Sequence, residues 1–198
     1  MALPNLQKAL VRRGAGVLYS TLILASGTAL ANTQQTWFGY GVGGNVPGGA
    51  IATLQDTNMR TGGQMSGQQA FTVEAFQLQI YNTSTTKVGV TSADYHAILD
   101  QSILSWAYGQ ATIQISPARS IPAGGGIYGV AGTQNLTPAE LNNGAGGTFN
   151  LRGHGVVLAP MANFTIVWNF GAASGTPSVN LGCLLVMQGT YEQAIEAG

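Results

Sequence analysis

The stretch Asn163-Phe164-Thr165-Ile166-Val167-Trp168-Asn169-Phe170 puts large apolar side chains at every second position, with Thr165 and Asn169 between them. Successive side chains of a strand point to opposite faces, so this spacing predicts a β-strand with one face deeply buried. Further on, Leu181, Cys183, Leu185 and Met187 alternate with Gly182, Leu184 and Val186, so that strand is apolar on both faces. A central strand, or one with a face against another subunit, has this composition.

Working back along the chain, Phe71, Val73 and Ala75 alternate and are followed by Phe76, Leu78 and Ile80, a change of parity at Ala75-Phe76. One extra residue in a strand, a β-bulge, produces such a shift. Short β-like runs are expected at residues 111–115, 126–130, 148–151 and 155–159, separated by Gly, Pro and Asn clusters, which is the pattern of a sandwich or barrel. Residues 91–104 have helical character, with Thr91 or Ser92 as N-cap and Asp94 in the first turn. Tyr95, Ile98 and Leu99 would line one face of this helix. The expected fold class is therefore all-β: a β-sandwich over residues 51–190 with one inserted short helix. An extended N-terminal arm and Gly-rich linker (1–50) precede it, and a tail (191–198) follows.

Seven basic and seven acidic side chains make up 7% of the 198 residues and cancel in net charge. An ordinary soluble protein carries about 25% charged residues. A free monomer with so few charges lacks the repulsion that keeps proteins dispersed. Burial of neutral surface against neighbours in a permanent assembly accounts for the deficit, since interface cores are depleted of charge in the same way.

Two readings of the N-terminus stay open. Lys8, Arg12 and Arg13 precede the apolar stretch Val17 to Leu24 and a small-residue run ending at Ala31. This is the order of a cleavable signal peptide, which would make the product a periplasmic or secreted protein. The same segment also reads as an assembly arm whose basic residues face genome or anionic lipid, although three cations make a weak footprint. The 18 residues from Gly14 to Ala31 carry too many Gly, Ser and Thr for a good membrane helix. In the linker, Trp37, Phe38 and Tyr40 lie among glycines. With Lys8, Arg12 and Arg13 they are the candidate residues of the assembly arm, and although such rings can stack on sugars or bases, they are expected here to anchor the linker in an apolar pocket.

Chemistry has little to draw on. His96 and Asp100, four apart on the expected helix, share a face and could hold a metal, but an exposed helix face carries such residues without a ligand. His154 lies in a Gly-flanked turn with no acid beside it. Gly-x-Ser-x-Gly and His-Glu-x-x-His motifs are both missing, and Gly41-Val42-Gly43-Gly44 leads into neither a helix nor a Gly-Lys-Ser/Thr sequence. No catalytic residue, metal site or cofactor is expected, and the chain does not read as an enzyme. The single Cys183 reads as a small buried hydrophobe and says nothing of redox compartment.

Two blocks carry a resemblance. Asp56-Thr57-Asn58-Met59-Arg60-Thr61-Gly62-Gly63-Gln64-Met65, leading into the Phe71 strand, and residues 155–167, which read as strand, Pro160 turn, strand, resemble the framing strands of jelly-roll capsid proteins from icosahedral bacterial viruses. The likeness spans residues 50–188 as a pattern of about eight strands. It implies a single jelly-roll subunit that tiles a virion shell with copies of itself and other virion proteins. It also implies an N-terminal arm under the neighbours and no small-molecule substrate.

Overall fold

The computed structural model describes residues 10–83, 90–122, 130–132, 138–140, 147–151, 153 and 155–195. Extended strands dominate: β1 (Leu10–Leu24), β2 (Gln34–Trp37), β3 (Gln69–Asn82), β4 (Ser102–Tyr108), β5 (Ala111–Pro117) and β6 (Val130–Gly132). They continue as β7 (Pro138–Glu140), β8 (Phe149–Asn150), β9 (Val156–Leu158), β10 (Phe164–Phe170) and β11 (Leu181–Ile195), with one α-helix, α1 (Ser92–Leu99). One antiparallel sheet has the order β1-β11-β3, with β8 and β9 both pairing with the far edge of β3; a second has the order β2-β10-β4-β5. β6 and β7 pair with each other. The chain is thus mostly β, with two antiparallel sheets forming a sandwich. Of the expected run at 126–130, residues 126–129 lie outside the described residues.

The alternation read from the sequence decides which side chains fill the space between the sheets. Phe164, Ile166, Trp168 and Phe170 of β10 are buried, as are Leu181, Cys183, Leu185 and Met187 of β11, and all belong to one core. β11 lies between β1 and β3, a central strand, and its outward Leu184 and Val186 are half-buried. Aromatic rings fill the space between the layers. Phe76 of β3 meets Trp106 of β4 edge to face at 5.7 Å across the two sheets, while within the second sheet Trp37 of β2 stacks on Trp168 of β10 at 4.9 Å.

The bulge lies one residue before the parity change. β11 runs opposite β3 as far as Gln188 beside Ala75, after which Gly189 stands beside Val73 and leaves Glu74 as the extra residue. Phe71, Val73, Ala75 and Phe76 can then all be buried while Glu74 is exposed. Gly189 is required here, because a Cβ would stand 1.8 Å from the Thr72 carbonyl oxygen.

The helix is shorter than its sequence pattern. α1 ends at Leu99, and Ser102 to Tyr108, read in part as helix, form β4 instead. Ser102 Oγ donates to the Ile98 carbonyl at 2.6 Å and closes the helix end. The following residues gain a full ladder against β10, which local helical preference cannot match. At the other end Thr91 and Asp94 form a capping box. Asp94 is only 2% exposed and also accepts from Ser178 N–H at 2.6 Å and Ser178 Oγ at 2.8 Å, tying α1 to the loop before β11. Burial works to raise this carboxyl's pKa, but the hydrogen bonds from Ser178 and Thr91 outweigh it and hold the group below its ordinary value.

Residues 10–24, expected within an extended arm, do not reach away from the sandwich. β1 pairs with β11 over its fifteen residues and buries Leu18, Ser20, Leu22 and Leu24. Its outer edge is covered by the Gly-rich loop, where Thr21 N–H donates to the Asp56 carbonyl and Ile23 N–H to the Pro47 carbonyl, each at 2.9 Å. The linker is therefore a folded flap over β1. At the other end β11 runs through residue 190 to Ile195.

Candidate assembly surface

The residues singled out for an assembly arm do not form one surface. Lys8 lies outside the described residues. Arg12 and Arg13 are neighbours on β1 and so point to opposite faces. Arg13 Nε meets Glu192 Oε1 at 2.9 Å, directly across the strand pair. Arg12 stands opposite Gln193 and makes no ion pair among the described residues.

Trp37, Phe38 and Tyr40 point inward. Trp37 ends β2 in the core, and its Nε1–H donates to the Cys183 carbonyl at 2.8 Å, a buried tie from one sheet to the other. Phe38 is fully buried against Phe164 at a φ of 64°, a costly conformation for a bulky residue, and its N–H donates to Ser20 Oγ at 2.9 Å. Tyr40 Oη accepts from Thr21 N–H at 3.0 Å and donates to the Thr21 carbonyl. Burial raises the Tyr40 pKa. These three rings therefore hold the flap to the sandwich, the anchoring role expected of them.

What the sequence did not reveal is a face of the second sheet. Because the even-numbered residues of β10 fill the core, Thr165, Val167 and Asn169 look outward. Register places Thr36 and Ser105 beside Val167, Ala107 beside Thr165, and Gln34 and Ile103 beside Asn169. Thr112 and Gln114 of β5 extend these rows. None of these side chains is ionisable. An antiparallel sheet with one solvated face ordinarily carries charge there. The charges gather elsewhere: Asp100 at the end of α1, Arg119 beyond β5, Glu74 at the bulge, and Arg13 with Glu192 at the far end of the first sheet. Ile51 and Leu54, about two-thirds exposed on the flap, add apolar surface.

The candidate chemical groups stay apart. His96 Nδ1 and Asp100 Oδ2 lie 2.8 Å apart on the exposed side of α1, and among the described residues no cluster of three metal-ligating side chains occurs. His154 lies outside the described residues. Burial pushes the Cys183 thiol up, so it stays protonated and inert. No helix among the described residues is long and apolar enough to cross a membrane.

No family model, curated protein or solved structure matched the chain. The surface must therefore be read from its own geometry.

Proposed function

We propose that the chain is a structural subunit of a closed shell, a jelly-roll capsid protein of the kind that builds icosahedral bacterial viruses. It self-assembles and packs with other virion proteins through its uncharged sheet face. The observation that carries this is the outer face of the β2-β10-β4-β5 sheet, four strands wide without an ionisable side chain.

Strand pairing supports the jelly-roll part of the reading. β8 and β9 lie successively along β3, at Ala75-Phe76 and at Phe71–Val73, as one interrupted edge strand. Counted so, the sandwich strands pair first with last, second with seventh, third with sixth and fourth with fifth. Rolling up one long antiparallel hairpin gives these pairs, and a jelly roll is such a double Greek key. The virion is the location this reading implies, with no cofactor and no catalytic residue.

The alternative, an exported bacterial β-sandwich binding protein cleaved after Ala31, has less support. Cleavage there would remove Leu18, Leu22, Leu24 and Leu30 from the core. A role for the N-terminus against genome or lipid is also weakly supported, since Glu192 already neutralises Arg13.

Val167→Glu tests the proposal, since it places charge at the middle of the neutral face without touching the core. The variant is expected to fold with native near-UV circular dichroism yet stay monomeric where the parent chain assembles. Assembly of Val167→Glu to the parent's mass would count against this face.

A further inference from the structure

The fifteen-residue strands β1 and β11 outrun the seven-residue strands of the facing sheet, so their inward side is uncovered at one end. There Leu18, Tyr191, Gln193 and Gln69 share the inner face, and the loop 58–69 roofs them. The result is an open cleft of about 510 Å³. This is within the size range of small-ligand sites, roughly 300–1,000 Å³.

The floor is apolar: Leu18, Met59 and Met65 are each under 5% exposed. The walls carry amides, hydroxyls and one guanidinium. Arg60, Thr61, Ser66, Gln68, Gln69 and Gln193 all line the cleft, and their side chains have no hydrogen-bond partner among the described residues. Among the described residues no carboxylate lines it. Arg60 has no counter-ion among the described residues, and Arg12 stands next to Gln193 in the same inward row. Arg13 and Glu192, which neutralise each other, face the opposite side.

The wall that carries Arg60 is fixed before any ligand arrives. Val42 N–H donates to the Met59 carbonyl at 2.9 Å, and Gly41 packs so closely that a Cβ would lie 2.4 Å from the Arg60 carbonyl oxygen. A site held in place in this way does not lose affinity to ordering a loop.

We propose that this cleft binds an acidic saccharide, a uronic-acid-type sugar whose carboxylate meets Arg60 while its hydroxyls meet Gln68, Gln69 and Gln193. The guanidinium fork matches a carboxylate, and primary amides can both donate to and accept from sugar hydroxyls. An added peptide strand would need an open sheet edge, whereas the strands here present their inner face. This site is separate from the uncharged sheet face and does not depend on the shell reading.

Isothermal titration of the full chain with digalacturonic acid is the test, with lactose and a ten-residue oligothymidylate as comparison ligands. Digalacturonate should bind saturably and more tightly than either. Arg60→Gln should weaken it about tenfold, the cost of one charged hydrogen bond. Gln193→Ala should weaken it too, and both variants should keep the parent melting temperature. No saturable binding, equal binding of lactose, tighter binding of the oligonucleotide, or parent-like affinity in Arg60→Gln would each overturn the proposal.

Discussion

Deleting residues 1–31 should abolish folding. The deletion takes away β1 and with it the buried Leu18, Leu22, Leu24 and Leu30. Each leucine contributes about 1.5–3 kcal/mol on burial, so the four together hold about 6–12 kcal/mol. Ordinary domains have only about 5–15 kcal/mol of net stability in all. The loss also strips β11 of one of its two partners, along a ladder from Leu181 to Ile195. It exposes an apolar edge that invites aggregation. The assay is near-UV circular dichroism with amide hydrogen exchange on residues 32–198. The expected result is no cooperative melt and no protected amides in β11. A truncated chain that melts cooperatively within a few degrees of the full one would refute the assignment of β1 to the core and would revive cleavage after Ala31.

Four further substitutions probe the interior. Asp94→Asn should cost about 2–3 kcal/mol, because the capping box and the charged hydrogen bonds from Ser178 weaken together. Since the folded pKa of Asp94 is lowered, its contribution is complete above the unfolded value of about 3.9 and fades as pH falls through the folded one. Denaturant titrations from pH 6 to pH 2.5 should therefore show a steeper acid loss in the parent than in Asp94→Asn, and parallel curves would contradict this. Trp37→Phe removes the indole N–H that reaches the Cys183 carbonyl and should cost about 1–2 kcal/mol by chemical denaturation. Trp168→Phe should cost less, because Trp168 Nε1 is buried with no partner among the described residues, and the reverse order would be evidence against the tie between sheets. Gly189→Ala should destabilise by about 3 kcal/mol or more, since its Cβ collides with the Thr72 carbonyl, and a loss under about 1 kcal/mol would mean that the bulge relaxes freely.

Much of the sandwich was legible because its central strands carry strong alternation. Phe164 to Phe170 and Leu181 to Met187 announced their faces, and the parity change at Ala75-Phe76 announced a bulge to within one residue. β1 was not legible. Its inward Leu18, Ser20, Leu22 and Leu24 alternate with Val17, Tyr19, Thr21 and Ile23, and an apolar run behind three cations looks the same whether it is a strand or a leader. β4 was hidden because Ile103 and Leu104 extend the apolar pattern of α1, and only pairing with the distant β10 decides otherwise. The neutral sheet face needs register across β2, β10, β4 and β5, which a single sequence does not contain. The same holds for the cleft, where residues 18, 60, 69 and 193 meet.

The central claim is that the scarcity of charge reflects burial between subunits. Native mass spectrometry of the full chain, purified without denaturant at micromolar concentration, tests it most directly. Closed multimers of defined subunit number are the expected species. A soluble monomer that persists at every concentration and salt condition would contradict the claim.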